Sequence, residues 1–101
     1  MNLSMIGRAR EMKARLDEVQ KELADITVEG SAGKGAVKVI MDGQQKIRSI
    51  KILPQVASPD KVEELETLVL KAVADATARS QKVAGKRLGK LTGGLKIPGL
   101  F

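Results

Sequence analysis

The sequence predicts a single α+β domain in the order α-β-β-β-α: a long helix, a three-stranded antiparallel meander and a second long helix. Apolar residues repeat at helical spacing before residue 27 and again after residue 61, and between these segments the period falls to two. The 101 residues contain no Pro-, Gly- or Ser-rich linker. We therefore expect one domain, residues 1–90, followed by a Gly- and Pro-containing apolar tail, residues 91–101.

The first helix is predicted from Ser4 to about Asp25. Its apolar positions alternate steps of four and three residues, a heptad pattern typical of a helix that packs on a partner; they are Met5, Ala9, Met12, Leu16, Val19, Leu23 and Ile26. Basic residues crowd its start and acidic residues its end, which opposes the helix dipole. We expect the basic end to meet an anionic partner; a merely solvated face is the alternative.

Three short runs with a period of two come next, at residues 26–29, 37–42 and 47–53. A glycine-rich turn, residues 30–35, and an Asp42-Gly43 turn separate them, which predicts antiparallel hairpins. The glycine-rich turn leads into a strand and lacks the Gly-Lys-Ser/Thr ending of a phosphate-binding loop. We interpret it as a hairpin loop.

The third run has an irregular pattern. Ile47 falls on the opposite parity to Ile50 and Ile52, so a regular strand would place them on different faces. This mismatch predicts either a bulge near Ser49 or a strand whose two ends face different neighbours.

The second helix is predicted to begin at Ser58-Pro59-Asp60, with serine as the N-cap and proline in the first turn. Its apolar stripe thins after Ala76. Beyond that point four basic residues at steps of three and four share one face; they are Arg79, Lys82, Lys86 and Lys90. If the two helices pack antiparallel, we expect the basic start of the first to lie beside the basic end of the second.

Composition argues against an enzyme. The chain has no cysteine and no histidine, which removes thiolate and imidazole metal ligands and the commonest general base. Nothing in the sequence marks a pocket for paired carboxylates or a nucleophilic lysine. No segment approaches the ~20 apolar residues of a membrane span. We expect a soluble intracellular protein without catalytic residues, cofactor, metal or small-molecule substrate.

The charge distribution favours a polyanionic partner. The net charge is +6, and the last 26 residues hold six basic side chains and no acidic one. The single aromatic residue is Phe101, so a core built from this chain must be almost wholly aliphatic. Because a chain of this size buries only about two-thirds of its unfolded surface, a dimer would supply the missing core.

Several segments together resemble the YbaB/EbfC family of bacterial nucleoid-associated proteins. The resemblance covers almost the whole chain, and the C-terminal ending is its most specific part. The segments are Ala24–Gly30, Gly35–Val39 with Asp42-Gly43, Ile47–Ile52 with Pro54, Leu91–Leu95 and Ile97–Phe101.

The resemblance implies a homodimer whose helices project like the arms of tweezers and bind double-stranded DNA without an enzymatic step. It also implies a cytoplasmic protein associated with the nucleoid. By region, it assigns DNA contacts to basic residues on the two helices: Arg8, Arg10, Lys13, Arg15, Arg79, Lys82, Lys86 and Arg87.

Two functions of different classes remain open from the sequence. The favoured one is a dimer that contacts DNA phosphates with weak or modest sequence selectivity, because few side chains other than arginine suit base edges. The alternative is a helical adaptor whose heptad seams dock on a protein partner. RNA binding and membrane-surface binding are less favoured, because the helices carry no aromatic side chain.

Overall fold

The computed structural model describes residues 3–91 and has the predicted α-β-β-β-α order. Helix α1 spans Leu3–Asp25, strands β1, β2 and β3 span Thr27–Ala32, Val37–Asp42 and Ile47–Ile52, and helix α2 spans Val62–Leu91. Two 3-10 turns, Pro54–Val56 and Pro59–Lys61, connect β3 to α2, with Ser58 in the N-cap position of the second turn. Beyond Leu91, the predicted tail lies outside the described residues.

The sheet is a meander in the order β1-β2-β3, with every neighbouring pair antiparallel. Helix α2 packs across β1 and β2. The inward side chains of β2 and two alanines of α2 form the core, namely Val37, Val39, Met41, Ala72 and Ala76. All five have 2% or less of their surface exposed, so the core is narrow and aliphatic, as the composition predicted.

Close contact between α2 and β1 depends on Gly30. A Cβ atom at this position would lie 2.3 Å from the amide nitrogen of Ala76 and 2.5 Å from the carbonyl oxygen of Ala72. No side chain larger than hydrogen fits between the helix and strand backbones at this distance. Glycine here, facing alanines on the helix, therefore sets how closely α2 approaches the sheet.

The parity mismatch in β3 is resolved by a bulge. Met41 pairs with Ile47 and Ile40 pairs with Ser49, so Arg48 is the extra residue on β3. The predicted bulge near Ser49 is confirmed, and the alternative of a strand with two differently facing ends is wrong.

The bulge gives β3 a continuous apolar face. Because Ile47, Ile50 and Ile52 pair with the inward-facing Met41, Val39 and Val37, all three isoleucines point to the side of the sheet that carries α2. The helix does not cover them: their exposed fractions are 47%, 43% and 40%.

A polar cluster around Asp42 joins the β2–β3 turn to α2. The Asp42 carboxylate accepts hydrogen bonds from the backbone N–H groups of Gln44 and Lys46 and from Arg48, whose Nη2 lies 2.8 Å away. Burial raises the pKa of Asp42, but these hydrogen bonds outweigh it and hold the pKa below its ordinary value. The Ser80 hydroxyl donates to the Asp42 carbonyl oxygen at 2.6 Å. The bulged Arg48 thus supports the turn on which α2 rests.

Helix α1 touches the rest of the protomer mainly at its C-terminal end. The N–H of Gly43 donates to the carbonyl oxygen of Leu23, and Leu23 is the buried residue of α1. Residues 3–15 are exposed, apart from half-buried Ile6. The long dimension of the protein is 66 Å, more than the about 45 Å that 30 helical residues span. Helix α1 therefore extends away from the sheet instead of covering it.

Candidate nucleic-acid interface

Two helical segments reach beyond the sheet, and we call them the arms: residues 3–21 of α1 and residues 79–91 of α2. The α2 arm begins where Ser80 contacts the Asp42 turn at the end of β2. The α1 arm begins where Leu23 contacts Gly43, in the same turn. All eight predicted DNA-contacting residues lie on these arms, and all eight are exposed.

On the α2 arm, three of the predicted residues share one surface. Arg79, Lys82 and Lys86 line a shallow concavity together with Val28 and Glu29 of β1. Steps of three and four residues put these cations on one helix face, and Lys90 continues the same face. Lys90 is exposed as well, and its spacing in the sequence already placed it with the others. The basic face of α2 therefore runs from the edge of the sheet to the end of the arm.

On the α1 arm, the four basic residues surround the helix. Arg8 and Arg15, seven residues apart, line a shallow concavity with Glu11 and the partly exposed Met12. The helical period places Arg10 and Lys13 on the opposite side. Arg8 and Arg15 flank one side of the apolar seam and Lys13 flanks its other side, whereas Arg10 faces away from it.

The contact between the arms differs from the expected one. Arg87 near the end of α2 forms an ion pair with Glu22, in the acidic half of α1, at 3.4 Å. Arg15 lies seven residues before Glu22, about 10 Å along the helix axis. The expectation that the basic start of α1 lies beside the basic end of α2 is therefore wrong: opposite charges meet there, and the basic start of α1 continues outward.

Ion pairs separate the eight predicted residues into two groups. Arg15 pairs with Glu11 at 2.8 Å, Arg79 with Asp75 at 3.2 Å, and Arg87 with Glu22. Within residues 3–91, the other five form no ion pair; they are Arg8, Arg10, Lys13, Lys82 and Lys86. Exposed pairs contribute only about 0.2–1 kcal/mol, so carboxylate and phosphate compete for the paired arginines, whereas the other five cations face no such competition within residues 3–91.

Asp75 also fixes the origin of the α2 arm. The N–H of Ser31 on β1 donates to the Asp75 carboxylate at 3.0 Å, and Arg79 donates from the next helical turn at 3.2 Å. The Ser31 hydrogen bond, with a smaller contribution from Arg79, lowers the pKa of Asp75 below its ordinary value. An ionised Asp75 therefore ties α2 to the outer edge of β1 just before the basic face begins.

The geometry suits contact with an extended anion. The described cations sit on exposed helix surfaces, and no three carboxylates between residues 3 and 91 converge to hold a metal ion. None of the helices in this range combines the length and apolarity that a membrane crossing requires. Long helices with basic faces, attached to a small sheet, are typical of the class of α+β proteins that bind nucleic acid.

The chain belongs to the YbaB/EbfC DNA-binding family, whose sequence pattern matches residues 1–95. It is 48% identical over 91 residues to a nucleoid-associated protein of Roseiflexus sp., covering 90% of each chain. It is 47% identical over 97 residues to a nucleoid-associated protein of Desulforamulus reducens, covering 96% of this chain and 92% of the relative. The resemblance to the family is thus confirmed.

The fold also matches a solved structure. An uncharacterized protein from Helicobacter pylori superposes with a TM-score of 0.82, covering 92% of this chain and 99% of that one. The two sequences are only 17% identical, so the likeness concerns the fold alone. It supports the α-β-β-β-α arrangement with long helices.

Proposed function

We propose that this protein binds double-stranded DNA as a homodimer, chiefly through phosphate contacts from its basic arms, with weak or modest sequence selectivity. The observation that carries the proposal is the set of five exposed arm cations that form no ion pair within residues 3–91, on a chain that belongs to a DNA-binding family. Because the relatives are named nucleoid-associated proteins, we place its action at the nucleoid, within the cytoplasm. The proposed role is architectural and involves no chemical step.

Phosphate contact is favoured over base reading by the residue types on the arms. Lysine acts as a flexible point charge and suits a phosphate, whereas base recognition relies on side chains held in fixed positions against the base edges, arginine often among them. The arm arginines are exposed and held at most by one weak ion pair. Such side chains supply attraction and register with little discrimination between sequences.

A second copy of the chain is favoured by the apolar surface left open in the protomer. On the α2 side of the sheet, the isoleucines of β3 are partly exposed. Beside them, α2 carries an apolar groove lined by Val62, Leu65, Val69, Leu70 and Val73, of which Leu70 is 71% exposed. We propose a two-fold arrangement in which each copy covers this surface of the other. Two sets of arms would then act on one duplex.

The first experiment is a gel-shift titration of a DNA duplex at several salt concentrations. If about six phosphates are contacted per dimer, log affinity falls against log salt with a slope near −5. The variant Arg79→Ala/Lys82→Ala/Lys86→Ala should bind more weakly and with a shallower slope, while circular dichroism shows it folded. A slope close to zero for the wild-type protein would refute phosphate-driven binding. Unchanged affinity of the triple variant would move the contacts to α1.

The second experiment tests the dimer. Ile50→Lys places a charge on the open apolar face of β3, and Ser49→Lys places the same charge on the neighbouring residue, which faces the other side. Light scattering after size-exclusion chromatography should show a monomer for the first variant and a dimer for the second. DNA affinity should fall with dissociation. A dimeric Ile50→Lys protein would contradict the proposed interface.

The adaptor alternative retains one supporting observation. The start of the α1 heptad seam is open in the protomer, with Met5 65% and Met12 41% exposed. Leu23, near the other end of the seam, is 2% exposed and buried within the chain itself, so a substitution there would test folding and not partner binding. If Met5→Lys/Met12→Lys leaves both the dimer and DNA binding intact while abolishing capture of a protein partner, the adaptor function is favoured.

A further inference from the structure

A second group of unpaired cations lies on the sheet, outside the arms. Lys38 on β2 and Lys51 on β3 are directly opposite each other, and Lys34 lies at the tip of the β1–β2 turn. The three lysines line a shallow concavity together with Gly35. A Cβ atom added to Gly35 would lie 3.5 Å from the Lys38 Cε, so the Lys38 side chain extends along this turn. We call this group the sheet lysines.

The sheet lysines are not neutralised by the protomer. All three are exposed, and no carboxylate between residues 3 and 91 forms an ion pair with them. Glu29, an acidic residue of β1 on the same side of the sheet, lines the concavity of the α2 arm instead. Like charges directly across two strands destabilise a sheet. Repulsion between Lys38 and Lys51 thus costs the folded chain some stability, and a bound anion would remove this repulsion.

The same face of the sheet carries hydroxyl groups. Ser31 is the cross-strand neighbour of Lys38, and Ser49 lies two residues from Lys51; both are exposed. Lysine and serine side chains commonly donate to phosphate oxygens of a nucleic-acid backbone. The face therefore offers charge and hydrogen-bond donors, with no aromatic platform for stacking bases.

The sheet lysines are separated from the arms. The β1–β2 turn lies at the level of Leu68, because a Cβ atom at Gly33 would be 2.9 Å from the Leu68 Cδ2. Lys82 follows Leu68 by 14 residues, about 21 Å along α2. The Debye length at physiological salt is about 8 Å, so the two basic surfaces act independently on an anion.

We propose that the sheet lysines bind the phosphate backbone of a second DNA duplex, so that one dimer connects two duplexes. This inference rests on the proposed function, in which the arms hold the first duplex. Each dimer carries two such patches, one per copy. Contact is expected to be chiefly to phosphate, because the exposed lysines and serines of this face are not held in the fixed positions that base reading requires.

The test is a two-duplex capture assay with the full chain. One duplex is fixed to beads, the protein is bound to it, and a fluorescent second duplex is added at several salt concentrations. Lys38→Thr/Lys51→Thr removes the opposed charges with a residue that suits strands, so its melting temperature should equal or exceed that of the wild type. Lys46→Ala/Lys61→Ala removes the same charge from exposed turns and serves as the matched control.

The wild-type protein, the sheet variant Lys38→Thr/Lys51→Thr and the control variant should differ in how they bind the first and the second duplex. The sheet variant should bind the first duplex within about twofold of wild type, but its affinity for the second should fall about 30-fold at about 0.15 M salt, since losing two phosphate contacts lowers the salt slope by about 1.8. The control should capture normally. If wild type binds one duplex and never two, or if the sheet variant captures as well as wild type, the inference is overturned while the proposed function stands.

Two further outcomes are also decisive. If the sheet variant loses first-duplex binding as strongly as the arm triple variant, the lysines belong to the same site, and a separate second site is refuted. If wild type binds no duplex at all, the proposed function itself fails.

Discussion

Replacement of Gly30 by alanine tests the packing that positions the α2 arm. The new Cβ would lie 2.3 Å from the Ala76 amide nitrogen and 2.7 Å from its Cα, where ordinary contacts begin at 3.4 Å. Helix and strand must therefore separate by about 1 Å, which also opens the contacts around Ala72. Because the obstacle is backbone and not a flexible side chain, we expect the upper end of overpacking costs, about 3 kcal/mol.

Thermal and urea unfolding followed by circular dichroism would measure this change. A loss of about 3 kcal/mol lowers the melting temperature of a domain this size by roughly 12–24 °C. Protein concentrations must be matched, because the proposed dimerisation would add to apparent stability. Gly7→Ala is the matched control: a Cβ there meets nothing within 4 Å, so helix α1 should gain stability. A Gly30→Ala protein within about 1 kcal/mol of wild type would refute direct packing of α2 on β1.

Three further results are expected. Ser80→Ala removes one of the two donors to the buried Asp42 carbonyl oxygen, which keeps the Gln45 N–H at 3.1 Å, and should destabilise by about 0.5–1.5 kcal/mol in urea titrations; a neutral effect would contradict the Ser80 hydrogen bond. Because the pKa of Asp42 is held below its ordinary 3.8, ionised Asp42 stabilises the fold above that pH, and the contribution disappears as pH falls through the lowered pKa. Asp42→Asn should therefore show lower stability at neutral pH and a smaller loss between about pH 5 and 2. In salt-dependent gel shifts, Lys82→Ala should reduce the slope of log affinity against log salt by about 1.8 per dimer. Arg87→Ala should reduce this slope less, because Arg87 already forms an ion pair with Glu22. Equal effects of the two substitutions would refute this distinction.

Local patterns were sufficient to predict the order of the elements and one detail of the sheet. The heptad spacing and the Ser58-Pro59 signal placed both helices, because helical periodicity and capping depend on neighbours in the chain. The parity of Ile47 predicted either a bulge or a strand with two differently facing ends, because side chains alternate along a strand regardless of tertiary context, and the strand pairing decided for the bulge. The sequence does not show how the strands pair. It therefore could not predict that Arg48 is the extra residue or that Arg48 contacts Asp42.

The sequence predicted which helical segments carry the basic residues of the candidate site. It did not predict which of these residues form ion pairs or which lysines lie opposite each other in the sheet. Helical spacing placed Lys82 and Lys86 on one face, which the structure bears out. Which arginines are held by carboxylates depends on rotamers and on contact between helices, as for Arg87 with Glu22. The opposed Lys38 and Lys51 become neighbours only when the register of β2 and β3 is known.

The sequence by itself determined the α-β-β-β-α order, the family resemblance and the excess of positive charge on the helix ends, because periodicity, motifs and composition are properties of the chain. Only the tertiary structure decided how far α1 extends and which apolar surfaces stay open. Leu23 and Met12 both lie on the heptad seam, yet one is buried by the β2–β3 turn and the other is 41% exposed. Burial depends on what the fold brings alongside each side chain, and the regular spacing of the seam in the sequence cannot distinguish the two.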